Sequence, residues 1–378
     1  MPATVAQPAE CSSTNIVLSS QAEVDAFQDN FGNGGTCSVI RGSLTIQRSD
    51  VTNLDGLGEI TIVEASLTID RNDTLTNLNG LVRISSVGGD VSVRGNDILT
   101  NLDGLSGMSS VGGVLEIAGN RALTNIDGLG SITSVGGDLR VSGEALANLD
   151  GLSGVSSVGG DLSISASGAL TNIDGLGAIT GVGESLSILN NNALTSLDGL
   201  SGVSSVGGNL TITDNDTLAN IDGLGGIISV PENLTISRNS ALTNLEGLNR
   251  IIRVGETLQV VANDALINLD GLRRITSVGG RLAVTDNNAL TNLEGLGTIT
   301  SVGVDLLVLR NDALTNLDGL RRITSVGGNL SVTDNDALAN LDGLGGINSL
   351  SDSIFVERNS ALTNCAALAP MLGWPLAP

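Results

Sequence analysis

Carboxylates and guanidinium groups are the only ionising side chains this chain carries in quantity. Its 378 residues include 40 Asp and Glu and 17 basic residues, and every basic residue is Arg; His, Lys and Tyr are absent. That removes imidazole-based triads and zinc sites, amine nucleophiles and most general acid–base pairs. The three cysteines, Cys11, Cys37 and Cys365, lack metal-ligand spacing. Gly-Gly pairs such as Gly88-Gly89 lack the strand-to-helix context of a phosphate loop. Asp and Arg alone could still cleave a polysaccharide, but no unique cluster of them stands out. The chain is therefore read as a non-enzyme.

The carboxylates recur. Asp55, Asp103, Asp127, Asp150, Asp174, Asp198, Asp222, Glu246, Asp270, Glu294, Asp318 and Asp342 share one position of a repeating segment. Like charges stacked roughly 5 Å apart repel, and a hard cation such as calcium would relieve this. Asp174, Asp198 and Asp222 are the candidate ligands, which would suit a calcium-dependent surface-layer or matrix protein. The alternative is that each Asp-Gly closes a solvated turn through its own side-chain-to-backbone bonds. The Gly-Gly-x-Gly-x-Asp calcium nonapeptide is missing, which favours the turn. No other cofactor is expected.

The arginines recur too. Arg250, Arg274 and Arg322 share a position and are reinforced by Arg253, Arg273 and Arg321. They form a candidate ligand patch for an anionic ligand or an acidic neighbour, with a solvated face as the alternative. Asp214 and Arg238, and then Asp286, Arg310, Asp334 and Arg358, alternate in sign at another outward position. Such pairs on adjacent strands contribute a few tenths of a kcal/mol each, up to about 1 kcal/mol. Thr45, Thr68, Thr211 and Thr235, with serines between them, make a candidate ice-binding face. Glu116, Arg140, Gln259, Leu307 and Phe355 interrupt that column.

The elements that position these side chains follow from a repeat. Leu-Asp-Gly-Leu or a close variant begins at Leu54 and recurs through Leu341 at steps of 24 residues, with one step of 23 where Ser142-Gly143-Glu144 is a residue short. In one coil Leu186, Ile188, Leu194, Leu197, Leu200, Val203 and Val206 carry the apolar side chains. Leu186-x-Ile188 has the period of a strand with one face inward. The steps of three that follow suit a tightly turning coil, and each coil buries its interior only by stacking on its neighbours. The fold expected is all-β: a parallel β-solenoid of about fourteen 24-residue coils with a short N-terminal capping helix. Its boundaries are a flexible segment at 1–10, an N-terminal cap at 11–41, the solenoid at 42–365 and a C-terminal cap at 366–378.

Three residues after each strand stands Asn, as Asn72, Asn96, Asn120, Asn191, Asn215, Asn239, Asn263, Asn287, Asn311, Asn335 and Asn359. Ser49 and Ser167 replace it twice, and the shortened coil has no clear equivalent. A buried Asn offers two donors and an acceptor to backbone groups at a turn, so a structural ladder is expected. Leu210-Thr-Ile-Thr-Asp-Asn-Asp-Thr-Leu218 resembles the leucine-rich repeat. The Cys11 and Cys37 pair followed by Ile40-Arg-Gly-Ser-Leu-Thr-Ile46, the recurring Gly-Gly-x-Leu-x-Ile and the closing Asn359-x-x-Leu362-Thr-Asn-Cys365 resemble the receptor L domain and its bacterial relatives. That resemblance spans residues 11 to 368 and implies a receptor, adhesin or wall protein.

Cys11 and Cys37 bracket the capping segment; a disulfide between them implies an oxidising compartment, and two free thiols are the alternative. Ser20-Gln-Ala-Glu23 has capping-box spacing, and Val24, Phe27 and Phe31 would share one helical face over the first coil. Cys365 takes the core position that Leu341 holds one coil earlier and is expected to be buried and inert. The net charge of −23 disfavours nucleic acid and anionic membranes, and no apolar run spans a bilayer. The first ten residues lack the basic and apolar stretches of a leader, so either the protein is cytosolic or a leader has been removed, and the cysteines favour the second. The expectation is an extracellular or cell-surface recognition, adhesion or scaffold protein that binds a protein or cell-surface ligand.

Overall fold

The computed structural model describes residues 9–369 and residue 371. Positions 1–8 of the flexible segment expected at 1–10, and positions 370 and 372–378 of the C-terminal cap, lie outside the described residues. The chain is an all-β repeat of parallel strands and divides into two compact units, Met1–Ile179 and Thr180–Pro378. Among the described residues, no helix is long and apolar enough to cross a membrane.

The first unit opens with a cap. Strand Ile16–Leu18 is followed by helices α1 (Gln21–Asp25) and α2 (Phe27–Phe31). The single helix expected is thus two short ones that bend at Ala26. Ser20 Oγ accepts the Glu23 N–H at 3.3 Å, and the Glu23 carboxylate accepts the Ser19 N–H at 2.6 Å. This is a capping box whose return bond falls one residue early. Val24 and Phe27 are fully buried, and the Phe27 and Phe31 rings lie 5.2 Å apart. The cap strand pairs with the first coil, Ile16 against Leu44, so the cap extends the sheet as well as covering it. Residue types and spacing at 16–18 do not predict this strand.

Six four-residue strands follow in this unit, from Leu44–Gln47 to Leu162–Ser165, parallel and in register: Leu44 opposes Leu67, which opposes Val91. Alternation puts Leu44 and Ile46 wholly inside and Thr45 on the outer face. Each coil also carries a two-residue strand, such as Ser86–Val87, which the sequence reading did not resolve. Between the two strands the Asp-Gly-Leu segment forms a 3-10 turn, as at Asp103–Leu105. Three residues per turn return residues i and i+3 to the same side, which is the physical source of the apolar steps of three. Leu99, Leu102, Leu105, Met108 and Val111 are all buried this way.

The second unit repeats the scheme with eight four-residue strands, from Leu186–Leu189 to Ile354–Glu357. Two-residue strands run from Ser229–Val230 through Arg253–Val254 to Ser349–Leu350 in a second parallel sheet. The Gly of Asp-Gly-Leu is demanded by stacking. A Cβ on Gly223 would sit 1.8 Å from the Leu197 carbonyl oxygen of the coil before. Coils within the unit therefore approach backbone to backbone at the Asp-Gly-Leu and Glu-Gly-Leu turns, which favours Gly there; the last turn, Ala366–Leu368, carries Ala367 at this position.

Candidate functional site

Most of the polar side chains placed inside these coils are occupied in holding the coils together. In the second unit the Asn215 side-chain oxygen accepts from the Asn191 N–H at 3.0 Å and from its side-chain amide at 3.3 Å. The Asn215 amide donates to the Ile188 carbonyl at 3.0 Å. The same wiring continues through Asn239, Asn263, Asn287, Asn311 and Asn335 to Asn359. In the first unit Ser49 donates to Asn72, whose neighbours are Asn96 and Asn120. Gly143 takes the ladder position in the shortened coil, and its N–H donates to Ser167 Oγ at 3.2 Å. Among the described residues no buried side-chain nitrogen or oxygen lacks a partner. These groups are not available for chemistry.

The residue before the ladder position is left-handed in coil after coil: φ is +57° at Asp214, +51° at Arg238 and +50° at Arg358. The alternating charges were expected on the strands themselves; they sit instead on this turn, one residue beyond each strand. The one-residue deletion between Ser142 and Gly143 removes this residue; the first coil is also one residue short, between Ser49 and Val51, and keeps its left-handed Arg48. Arg238 grips Asp214 with two bonds of 2.5 and 2.7 Å, and Arg310–Asp286 and Arg358–Asp334 repeat the fork. The guanidiniums donating to Asp214 and Asp334 hold both carboxyls below their ordinary range. Asp305 is also held low, chiefly by the Asn329 backbone N–H at 2.9 Å, and further by Arg281.

The acidic column opens the 3-10 turns. Asp174 in the first unit and Asp198 and Asp222 in the second are exposed. The turn-closing bond expected of these carboxylates is made by a different residue. At most turns the Asn two positions earlier accepts the turn's N–H, as Asn101 does for Asp103 and Asn316 for Asp318, both at 3.1 Å; at Asp198 that position is Ser196, whose hydroxyl donates to the Asp198 carboxylate at 3.1 Å. Asx turns of this kind leave the acidic side chain outside. The signal was present in the recurring Asn-Leu-Asp-Gly. Asp198 and Asp222 do not join a third acidic side chain in a cluster tight enough for a cation among the described residues.

The six arginines of the candidate patch are all exposed and all in the second unit. Arg273 pairs with Asp270 at 2.8 Å and Arg321 with Asp318 at 2.9 Å, each within its own turn. Arg250, Arg253, Arg274 and Arg322 have no carboxylate within 4.0 Å among the described residues. Arg253 lies on the strand Arg253–Val254, and the exposed Ile252 directly precedes it.

The candidate ice-face threonines, Thr45 and Thr68 in one unit and Thr211 and Thr235 in the other, are half-buried on the outer face of the four-residue strands. In the second unit the same outward column continues Gln259, Ala283, Leu307, Ser331, Phe355, each opposite the next. The first unit carries a groove of about 670 Å³ where the left-handed residues are Gly95 and Gly119. Arg48, Arg71 and Arg121 line it alongside Asp73, Asp97 and Glu144.

Cys11 and Cys37 form a disulfide with Cα atoms 4.9 Å apart. Cys365 is exposed, not buried as expected. Its coil has a stacked neighbour on one side only among the described residues, so the position that is interior at Leu341 opens to solvent at Cys365.

No protein-family model and no curated protein matches the chain. Among solved structures, the chain is similar to an internalin from Listeria monocytogenes, at 15% identity and a TM-score of 0.42, with 88% of this chain and 84% of that one covered.

Proposed function

We propose that this chain is a non-catalytic recognition protein of the cell exterior, of the leucine-rich receptor-L-domain kind, which binds protein partners on the outward faces of its coils. One observation carries the reading: the inward strand positions are nearly invariant, while the outward column changes in size and polarity from coil to coil. In the second unit Leu258, Leu282, Leu306 and Leu330 repeat inside, while Gln259, Ala283, Leu307, Ser331 and Phe355 vary outside. Phe355 is one of only three phenylalanines in the chain, and it is 44% exposed on this face. A fixed scaffold with variable, partly apolar outer side chains is the pattern of a binding surface. The disulfide supports an oxidising exterior. The lack of His, Lys and Tyr supports a role without catalysis.

The experiment is binding of the full chain to an array of extracellular and cell-surface proteins, with Leu307→Ser and Phe355→Ser as probes. Serine already stands in this column at Ser331, so the fold tolerates it. The expected result is binding to a protein that the double variant weakens at an unchanged melting temperature. Thermal hysteresis with no protein binding would overturn this reading in favour of an ice-binding face.

A further inference from the structure

Arginine in this chain is a paired residue, with one regional exception. Of the 17 arginines, 12 have a carboxylate oxygen within 4.0 Å. The five that do not, among the described residues, are Arg48, Arg250, Arg253, Arg274 and Arg322. Four of these five lie within residues 250–322 of the second unit, in a chain with 40 acidic residues to choose from. Arg250, Arg274 and Arg322 stand at one coil position, two residues beyond the 3-10 turns Glu246–Leu248, Asp270–Leu272 and Asp318–Leu320. Arg253 follows on the short strand of its coil.

A second anomaly sits on the same edge. The position before each two-residue strand normally holds a hydroxyl that donates to the previous coil: Thr276 to the Ile252 carbonyl, Thr300 to Thr276, Thr324 to Thr300. At Ile228 and Ile252 the hydroxyl gives way to a large aliphatic group. The two are stacked, with the Ile252 N–H on the Ile228 carbonyl at 3.0 Å, and are 49% and 48% exposed. A scattered exposed aliphatic residue means little. Two stacked ones, where the scaffold's own bond favours Thr and where unpaired arginines flank them, carry more weight.

We infer that Arg250, Arg253, Arg274 and Arg322 with Ile228 and Ile252 form a docking surface for an acidic protein segment that also presents aliphatic side chains. The unpaired guanidiniums supply the charge complement, and Arg beside desolvated apolar area is the composition of interface hot spots. A second copy of this chain is a poor occupant, because two bodies of net charge −23 repel. A polyanion without apolar groups would leave the two isoleucines unused. The inference rests on the recognition reading for the class of its occupant. It concerns a different sheet from Leu307 and Phe355, so each can fail alone.

The test uses the full chain and three fluorescent probes: an acidic peptide containing leucines, the same peptide with serine for leucine, and polygalacturonate. The leucine peptide should bind, and more weakly as salt rises. The triple variant Arg250→Glu, Arg274→Glu, Arg322→Glu should weaken it by about tenfold or more. Ile228→Thr with Ile252→Thr, which restores the column's own residue, should weaken it by roughly threefold or more at an unchanged melting temperature. The inference is overturned if the leucine peptide does not bind, or if the arginine variant binds it as well as the parent. It is overturned equally if the serine peptide or the polyuronate binds as tightly, or if the isoleucine variant changes nothing. Any of these results leaves the test of Leu307 and Phe355 standing.

Discussion

Asn239 and Asn263 stand one coil apart and are joined twice. The Asn263 side-chain oxygen accepts the Asn239 backbone N–H at 3.2 Å and the Asn239 side-chain amide at 3.3 Å. Both residues are fully buried. Replacing Asn263 by Ala strips two buried donors of their acceptor, and the Ile236 carbonyl of a donor. The expected loss is about 2–5 kcal/mol in urea unfolding, because each stranded buried group costs about 1–3 kcal/mol. Asn292→Ala removes two exposed bonds, the one it accepts from the Glu294 N–H and the one its amide donates to the Thr291 hydroxyl, and should cost about 1 kcal/mol. Equal midpoints for the two variants would refute a stabilising ladder.

Two glycines two residues apart make a matched pair. Gly223→Ala forces a methyl group onto the Leu197 carbonyl, whereas a Cβ at Gly225 meets nothing nearer than the Asp222 carbonyl at 3.2 Å. Gly223→Ala should therefore cost several times more stability than Gly225→Ala. Thermal melts followed by circular dichroism decide this, and similar melting temperatures would refute backbone contact between coils.

A gain is expected at the shortened coil. Gly143 holds the ladder position without a side chain, and among the described residues the Asn120 backbone N–H has no hydrogen-bond acceptor. A Cβ at Gly143 meets only the Leu146 Cβ, at 3.5 Å. Gly143→Asn restores an oxygen for Asn120 and narrows the unfolded ensemble, so it should add about 1 kcal/mol. A neutral or destabilising result in denaturant titration would show that the coil is shaped around the missing group.

Acid should weaken the chain through named carboxyls. Asp214, Asp305 and Asp334 are held below their ordinary range in the folded chain. A carboxyl lowered by folding contributes its full stability above its unfolded pKa, about 4, and loses it as pH falls through the lower folded value. The melting temperature should thus stay level from neutral pH to about 5 and fall below about 4. Asp305→Asn, which keeps the shape without the charge, should melt lower at neutral pH and lose less on acidification. A parent and variant with the same acid slope would rule out Asp305 as a contributor.

The period, the inward strand residues and the Asn column were legible because each rests on a rule one coil obeys by itself, repeated along the chain. The 3-10 turn could have been read from the apolar steps of three, since its period is three. The left-handed turn was less visible, because Arg, Asp and Ala occupy a conformation that usually announces itself with Gly or Asn. Cys365 was misread because it matches Leu341 in sequence, and burial depends on what stacks against a coil rather than on the coil's own pattern. The pairing of Arg273 and Arg321 within their own turns, and the absence of partners for Arg250 and Arg274, depend on side-chain reach. Column positions do not encode that.

The ladder wires each coil only to its immediate neighbours, through an Asn that most coils bring with them; Ser49, Gly143 and Ser167 stand in its place in the first unit. Within the second unit, excising the 24 residues 216–239 would set the Asn263 coil directly after Asn215, with donor and acceptor again matched. Whole 24-residue coils of the second unit can therefore be added or dropped without leaving a defect in the ladder. Single-residue losses are tolerated at two places: at the left-handed residue missing between Ser142 and Gly143, and between Ser49 and Val51, where the first coil is also one residue short. Coil number is then a variable that this architecture can change while every ladder bond keeps its partner.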